Sequence, residues 1–265
     1  MSAPVPLIVS GATGRMGQAI LRIAATDPEV EVVGVLESAA ECSRTKTVDF
    51  RGNTLPLLSG EDAIAVPPGA VLIEFTSPEA TLRHVQNAAT QGLKAVIGTT
   101  GFTDAEKQIL ADVSRETSLV VAANMSVGVT VLLDLVSRVS GSLPEYDIEI
   151  VEMHHRLKKD APSGTALALG VAAATGRNRT LKDVARSGRD GLVGERPAGE
   201  IGFHAVRGGD VVGDHTVTFA GIGERIELIH RASSRDTFAA GALKAAKFLN
   251  TKTKGLYSMK DVLGL

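Results

Sequence analysis

The chain reads as a two-part α/β protein, a doubly wound parallel sheet followed by a smaller α+β unit with a mixed sheet. Three observations predict this. Short, continuously apolar runs between residues 6 and 122 alternate with stretches of helical spacing, the pattern of strands buried on both faces and joined by crossover helices. A glycine-rich turn, Gly11-Ala12-Thr13-Gly14-Arg15-Met16-Gly17, follows the first run and opens the first helical stretch. After about Asn124 the pattern changes to strand-like runs separated by glycine-rich turns with little helix between them, which suggests an antiparallel or mixed sheet.

Taken in order, Pro6-Leu7-Ile8-Val9-Ser10 is a buried strand, and residues 18–25 continue a helix with Met16, Ile20 and Ile23 on one face. Glu31-Val32-Val33-Gly34-Val35-Leu36 is the second strand and Ala70-Val71-Leu72-Ile73-Glu74-Phe75 the third. Ser77-Pro78-Glu79 starts a helix, with serine as the cap and proline at the first helical position. Lys94-Ala95-Val96-Ile97-Gly98 is the fourth strand, residues 103–114 a helix, and Leu119-Val120-Val121-Ala122 the fifth strand. The crossovers are expected to be right-handed. Beyond Asn124, residues 127–139 read as a helix. Residues 146–153 read as a half-exposed strand in which Ile148 and Ile150 stand against Glu149 and Glu152. Residues 163–174 are a helix, and 178–200, rich in Arg, Gly and Asp, a long loop. Strand patterns follow at 201–207, 215–220 and 225–230, then a last helix at 237–249 with Phe238, Ala242 and Ala245 on one face. The expected division is a dinucleotide-binding domain over residues 1–125 and a second domain over 126–234, with 235–265 returning to the first.

Composition narrows the function. The 265 residues are 44% hydrophobic, ample for a sizeable core, and the 28 basic and 30 acidic residues leave a formal charge of −2. No basic excess exists to hold a nucleic-acid backbone, and the absence of Trp with only two Tyr and seven Phe argues against base stacking. A single cysteine, Cys42, allows neither an intrachain disulfide nor a cysteine metal cluster and suits a reducing compartment. The stretch from Met1 to Pro6 lacks the basic and apolar segments of a signal peptide, and runs such as 119–123 are too short to span a bilayer. The expectation is a soluble cytoplasmic protein with neither a nucleic-acid nor a membrane partner.

The glycine turn has the spacing G-x-x-G-x-x-G, one variant of the dinucleotide fingerprint of Rossmann-like domains. Its glycines let the backbone approach a pyrophosphate, and the helix that follows offers free amides and the positive end of its dipole. Glu37, at the end of the second strand and 20 residues past Gly17, has the spacing of a ribose-binding carboxylate. Gly11, Ala12, Thr13, Gly14, Arg15, Met16 and Glu37 are therefore candidate cofactor contacts. Gly98, Thr99 and Thr100 after the fourth strand, and Ala122, Ala123, Asn124 and Met125 after the fifth, join them, because ligands in such folds lie outside the carboxyl ends of the strands. A 2′-phosphate needs a cation. Ser38 follows Glu37, and Arg15, Arg44 and Lys46 are near in sequence, so NADH, NADPH or both remain open.

The densest polar cluster runs from Glu152 through Met153-His154-His155-Arg156-Leu157-Lys158-Lys159-Asp160-Ala161-Pro162 to Ser163-Gly164-Thr165. A histidine titrates near neutrality and can pass a proton. A lysine can stabilise developing negative charge. Ser163 or Thr165 can cap the next helix, whose first amides, at Gly164 and Thr165, suit a carboxylate. The set fits a small anionic substrate that accepts hydride and then a proton. The histidine pair carries no carboxylate–histidine metal spacing, so no metal is expected. His84 reads as a surface residue of a helix, and His204, His215 and His230 as structural residues on strands.

At these residues the chain resembles the 4-hydroxy-tetrahydrodipicolinate reductase family, formerly the dihydrodipicolinate reductases. The pattern E-x-H-H-x-x-K-x-D-A-P-S-G-T-A is matched from Glu152 to Ala166, and the likeness continues at Gly11 to Gly17, Glu37, Gly98 to Phe102, Ala122 to Val129, the run from Val206 to His215, Gly223-Glu-Arg, and Arg231-Ala-Ser-Ser-Arg-Asp-Thr-Phe. The resemblance implies hydride transfer from a nicotinamide to an α,β-unsaturated cyclic imine dicarboxylate, giving tetrahydrodipicolinate in the diaminopimelate and lysine route. It implies His154 as general acid, Lys158 as proton donor or charge stabiliser, and His155, Lys158, Ser163, Gly164, Thr165 and Thr100 around the substrate carboxylates. It also implies a homotetramer assembled through the sheet of the second domain. Ser38 stands where NADPH-preferring members carry Arg. Two other readings compete. A semialdehyde dehydrogenase needs a nucleophilic cysteine, and Cys42 lies by the expected adenosine site instead; homoserine dehydrogenases lack the H-H-x-x-K-x-D-A-P-S-G-T run. A nucleotide sensor on this scaffold could lose the proton donor, yet His154 and Lys158 are both present.

Overall fold

Apolar strands flanked by amphipathic helices fold here as the pattern dictates. The computed structural model describes residues 3–59, 67 and 69–265; Met1 and Ser2, on which the reading of the amino terminus partly rests, lie outside them. Two units separate, Met1–Val127 with Arg235–Leu265, and Gly128–Ser234. In chain order the first unit runs β1 (Val5–Ser10), α1 (Arg15–Thr26), β2 (Val30–Glu37), α2 (Ala39–Arg44), β3 (Thr47–Phe50), β4 (Asn53–Ser59), β5 (Val71–Glu74), α3 (Pro78–Thr90), β6 (Lys94–Ile97), α4 (Asp104–Val113) and β7 (Ser118–Val121). Next come α5 (Val127–Ser142), β8 (Asp147–His154), α6 (Gly164–Gly176), α7 (Leu181–Val184), β9 (Ala185–Ser187), β10 (Ile201–Arg207), β11 (Gly213–Ala220) and β12 (Arg225–Ala232). The chain ends with α8 (Asp236–Asn250), β13 (Gly255–Tyr257) and α9 (Met259–Leu263), all in the first unit.

The sheet of the first unit has the order β13-β7-β6-β5-β1-β2-β4-β3. Alternate residues along its strands feed two cores. Leu7, Val9, Ile73 and Val96 pack with Ile20, Ala242 and Ala246 of α1 and α8, while Ile8, Leu72, Ala95 and Ile97 pack with Val85 and Leu110 of α3 and α4. Helices thus cover both faces, as a doubly wound sheet requires. The strand order reverses between β1 and β5, and the crevice at the carboxyl ends of the strands around such a switch point is where ligands bind. Ser77 and Thr103 cap α3 and α4 through the amides of Ala80 and Glu106, both at 3.3 Å.

Some elements escaped the sequence pattern. The segment after β2 folds into α2 and the β3–β4 pair; β4 runs parallel to β2 but antiparallel to β3, so this edge of the sheet is mixed. The stretch 178–200 contains α7 and β9 rather than loop alone. α2, β3, α7 and β9 are too short to show a period, and in β4 the polar start Asn53-Thr54 and Pro56 break the apolar run.

The second unit is a five-stranded sheet of order β12-β11-β8-β10-β9. β8 pairs antiparallel with β11 and parallel with β10, which makes the sheet mixed. Ile148, Ile150, Phe203, Val217 and Phe219 form its inner face and pack with Leu169 and Ala173 of α6. The expected alternation of β8 needs one correction. Side chains in a strand repeat every second residue, so Glu152 shares the face of Ile148 and Ile150, and it is buried with 1% exposure. A carboxylate on the core face of a strand must be paired.

Gly241 in α8 shows how closely the first unit is packed. A Cβ there would stand 1.7 Å from the carbonyl oxygen of Met125. Gly241→Ala should lower stability by about 1–3 kcal/mol through overpacking, despite alanine's better helix propensity. Chemical denaturation checks this; an equal or higher midpoint would show that α8 can move off the 122–125 turn at no cost.

Candidate active site

Ser10, Glu37 and Glu74 end three neighbouring parallel strands, β1, β2 and β5 respectively, at the carboxyl edge of the first unit's sheet. Between β1 and α1 the glycine turn is built as a cradle. Gly11 holds φ at +69°, which favours glycine. A Cβ at Gly17 would lie 2.1 Å from the carbonyl oxygen of Gly11, so only glycine lets α1 start this close to the strand. Gly14 caps α1 without any side-chain bond to the first-turn amides, leaving them to an external acceptor. Arg15 opens the helix, exposed, and Met16 packs at the rim of the core.

Glu37 does more than end β2. One carboxylate oxygen accepts from the amide and hydroxyl of Thr13, at 3.0 and 2.7 Å, and the other from the amide of Ser38 at 3.1 Å. It therefore clamps the glycine turn onto the second strand. A cleft of about 360 Å³ opens beside it, lined among others by Gly11, Glu37, Ser38, Ser77, Arg83 and His84. Nothing in the sequence pattern marks Arg83 and His84 for this cleft. Ala80, Arg83 and His84 lie on one side of α3, three and four residues apart, and reach this cleft together. His84 is not the surface residue expected. It is buried, with Nδ1 2.7 Å from the Glu74 carboxylate and 3.3 Å from Ser10 Oγ. Thr76 donates to the same carboxylate at 2.8 Å, and the Thr81 hydroxyl joins that of Thr99 at 2.7 Å. The Thr99 side chain is thus turned inward, and Thr100 is exposed. Gly98 lies against the Phe75 ring, where a Cβ would come within 2.1 Å. In the other turn, Ala123 is exposed, Ala122 is half-buried, Asn124 Oδ1 accepts from the amide of Ser126 at 2.9 Å, and Met125 is buried.

The second unit gathers the other cluster. β8 delivers Glu152 and His154 to one face, two residues apart. The Glu152 carboxylate takes His154 Nδ1 at 2.6 Å, the amide of Ser163 at 3.0 Å, and both terminal nitrogens of Arg207 at 2.8 and 2.9 Å. Because a carboxylate only accepts, Nδ1 of His154 is its donor, and in the neutral ring Nε2 is bare. At Gly213 a Cβ would come 2.9 Å from that Nε2, so glycine leaves it room. Ser163 caps α6 through the amide of Ala166 at 3.1 Å and meets His215 Nε2 at 3.1 Å. The His215 ring stands edge-on to His154, centroids 5.1 Å apart. His215, read as structural, thus belongs to the cluster. Gly164 and Thr165 are the first two residues of α6, where helix amides lack intrahelical acceptors. Lys158 Nζ holds Asp160 by two contacts of 2.8 Å. The amide of His155 donates to the carbonyl of Val211 at 2.8 Å, and its Nδ1 is buried without a hydrogen-bond partner.

Electrostatics follow from this geometry. Burial alone would raise the Glu152 carboxyl, but the bonds from Arg207, His154 and Ser163 outweigh it and hold the group below the usual carboxylate range. Burial, reinforced by the charge of His154, pushes His215 down to about 4, so at neutral pH it is an uncharged partner of Ser163. The Lys158 bond holds Asp160 low as well. Among the described residues no group of three His, Cys, Asp or Glu side chains could hold a metal, and no helix is long and apolar enough to cross a membrane.

Comparison with known proteins bears on both clusters. The family model described as dihydrodipicolinate reductase, N-terminus, matches residues 5–125, and that of the C-terminus matches 128–263. The chain belongs to the dihydrodipicolinate reductase family. It is 46% identical over 265 residues to the 4-hydroxy-tetrahydrodipicolinate reductase of Nitrosomonas europaea, covering 99% of each chain, and 49% identical to that of Rubrobacter xylanophilus, covering 98% of each. A solved dihydrodipicolinate reductase from Paenisporosarcina sp. TG-14, bound to dipicolinate, superposes with a TM-score of 0.75 over 97% of this chain and 98% of its own, at 23% identity, which speaks to fold. Membership in this reductase family makes the chain an oxidoreductase using a pyridine nucleotide and a small-molecule substrate. The first unit fits such a cofactor: the Cβ-free approach at Gly11 and Gly17, the open first turn of α1 and the adjoining cleft suit a pyrophosphate and ribose.

Glu152, Arg207 and His215 were not assigned roles from sequence. Strict two-residue phasing from Ile148 would have found Glu152, because it puts a carboxylate on a core face beside a histidine. His215 makes the site sensitive to acid. Its folded-state value lies below the ordinary histidine value, so between about pH 6.5 and 4 the unfolded chain binds the extra proton. Stability is therefore full above 6.5 and falls as the pH drops toward 4. Unfolding measured across this window should show a shallower slope in His215→Asn than in the native protein; equal slopes would mean that His215 is not the group that resists protonation.

Proposed function

We propose that this protein reduces 4-hydroxy-tetrahydrodipicolinate to tetrahydrodipicolinate in the cytoplasmic diaminopimelate and lysine route, with the first unit holding NADH or NADPH and the second holding the dicarboxylate. The observation that carries the reading is the His154 ring fixed by a buried carboxylate at the end of β8, just before the turn that carries Lys158 and leads into the amino end of α6.

The bound nicotinamide supplies a hydride. The chain's residues do the rest. After water is lost from the substrate, Lys158 and the amides of Gly164 and Thr165 bind its carboxylates, with Ser163 and His155 beside them. Lys158 exchanges Asp160 for the substrate at little cost, because Asp160 is 62% exposed and such pairs contribute about 0–1 kcal/mol. When hydride adds to the β-carbon of the C=C–C=N system, the electron pair moves toward nitrogen. His154 then gives the Nε2 proton to the α-carbon, restoring the C=N bond, while Glu152 keeps its hold on Nδ1 throughout. In the first unit Gly11 to Met16 receive the pyrophosphate, Glu37 faces the ribose hydroxyls, and residues 98–100 and 122–125 border the nicotinamide half.

For cofactor choice, Ser38 supplies no charge, but Arg83 lines the same cleft as Glu37 and can supply it. Both cofactors are therefore accepted. Self-association is supported by the outer face of the second sheet, where Val151, Val206 and Ile229 are 39–47% exposed, and four copies sharing that face is the proposed state.

The first experiment is nicotinamide absorbance loss, with substrate made in situ by the preceding synthase from pyruvate and aspartate semialdehyde. Oxidation that needs the synthase, with either cofactor, is expected; none from folded, cofactor-binding protein would point to a sensor or another substrate. His154→Gln should lower kcat by about 10²–10⁴-fold with cofactor affinity nearly unchanged, and wild-type turnover would remove its role. Ser38→Arg should raise the NADPH to NADH ratio of kcat/KM; an unmoved ratio would place the 2′-phosphate elsewhere. Light scattering should give the mass of four chains, and Ile229→Arg should reduce it; a native protein that runs as a single chain would refute the assembly.

A further inference from the structure

We infer that Arg207 is a positioning residue for both the general acid and the anion-binding lysine, gripping His154 through Glu152 and the Lys158 turn through Asp160. The inference rests on the reading of His154 as general acid. Arg207 ends β10, where its Cα pairs in register with His154 at the end of the parallel strand β8. One terminal nitrogen donates to one Glu152 oxygen at 2.8 Å; the other donates to the second oxygen at 2.9 Å and to the backbone carbonyl of Asp160 at 2.6 Å. Glu152 in turn holds His154 and the amide of Ser163, and Asp160 holds Lys158. A single guanidinium thereby joins the strand that bears the general acid to the turn that bears the anion-binding lysine.

The chemistry needs arginine. A planar fork can serve both oxygens of a carboxylate and still reach a third acceptor, whereas an ammonium is a point donor. Arg207 also sets charge. With it, the Glu152–His154–Arg207 group carries one negative and one permanent positive charge before the histidine is protonated, so Glu152 orients His154 without over-stabilising its cation. The other titratable groups of the cluster are Lys158 and Asp160 in the turn, Asp214 and His215 on β11, and His230 on β12; none changes in the variants below.

The test reads kcat/KM against pH for Arg207→Met and Glu152→Gln, with cofactor affinity measured by fluorescence titration. A general acid gives an alkaline limb, where activity falls as the acid deprotonates. Removing the cation leaves an unbalanced carboxylate beside His154, so the limb should move to higher pH in Arg207→Met; removing the carboxylate's charge should move it to lower pH in Glu152→Gln. Both variants should lose about tenfold or more in kcat/KM and keep cofactor affinity within about twofold. Arg207→Lys should keep the limb in place with an intermediate loss. Limbs that stay put in both variants, or shift the same way, would overturn the inference. If Arg207→Met does not fold, Arg207→Lys decides, since wild-type kinetics there would show that the forked grip is not used. The native profile separates the two levels: an alkaline limb that disappears in His154→Gln upholds the general acid, and its absence in the native enzyme would overturn that reading and this inference together.

Discussion

The second unit is organised around one buried carboxylate. Glu152 sits on the core face of a central strand at 1% exposure, where an isolated charge is prohibitively costly. It persists because four donors from three elements close on it: Arg207 with two, Ser163 with its amide, and His154 with Nδ1. Each donor also belongs to the cluster of His154, Ser163 and Lys158 or is bonded to it. The constraint that makes the charge tolerable is thus the one that fixes the His154 ring, the start of α6 and the Lys158 turn. Removing any one partner leaves a buried charge underpaired, so these parts stand or fall together.

The first unit solves a different problem, close approach without side chains. Gly17 lies so near the carbonyl of Gly11 that no Cβ fits, and Glu37 ties the intervening Thr13 to the end of β2. The pair Glu74–His84 does for the floor of the cleft what Glu152–Arg207 does in the second unit, satisfying a buried carboxylate at a strand's carboxyl end. In both units, polar groups at strand ends are held rigid by partners rather than left to solvent, the preorganisation that charge stabilisation during a reaction requires.

Much of this was legible in the sequence, for identifiable reasons. The long apolar strands and capped helices announce themselves by period and cap, as Ser77 and Thr103 show. The glycine turn is a string whose geometry admits no other residue. What stayed hidden was tertiary. His84 looks like any polar helix residue until Glu74 is placed beneath it. Arg207 lies 55 residues from Glu152, and only the parallel pairing of β8 with β10 brings them together. His215 gains its meaning from Ser163, 52 residues away. α2 and β3 stay hidden because short elements carry no period, β4 because its polar start and Pro56 break the apolar run, and Glu152 because its phase shows only when counted by twos from Ile148.

The most direct test of this account is the tautomer of His154. Nitrogen-15 NMR of the native protein, assigned through the loss of signals in His154→Gln and recorded at a pH where the ring is neutral, reports which nitrogen carries the proton. A carboxylate on one side of the ring requires Nδ1 to be protonated and Nε2 to be bare. That result would place Nε2 as the atom that gives and regains the proton. A ring protonated at Nε2 would contradict the account, because Glu152 could then not be what holds it.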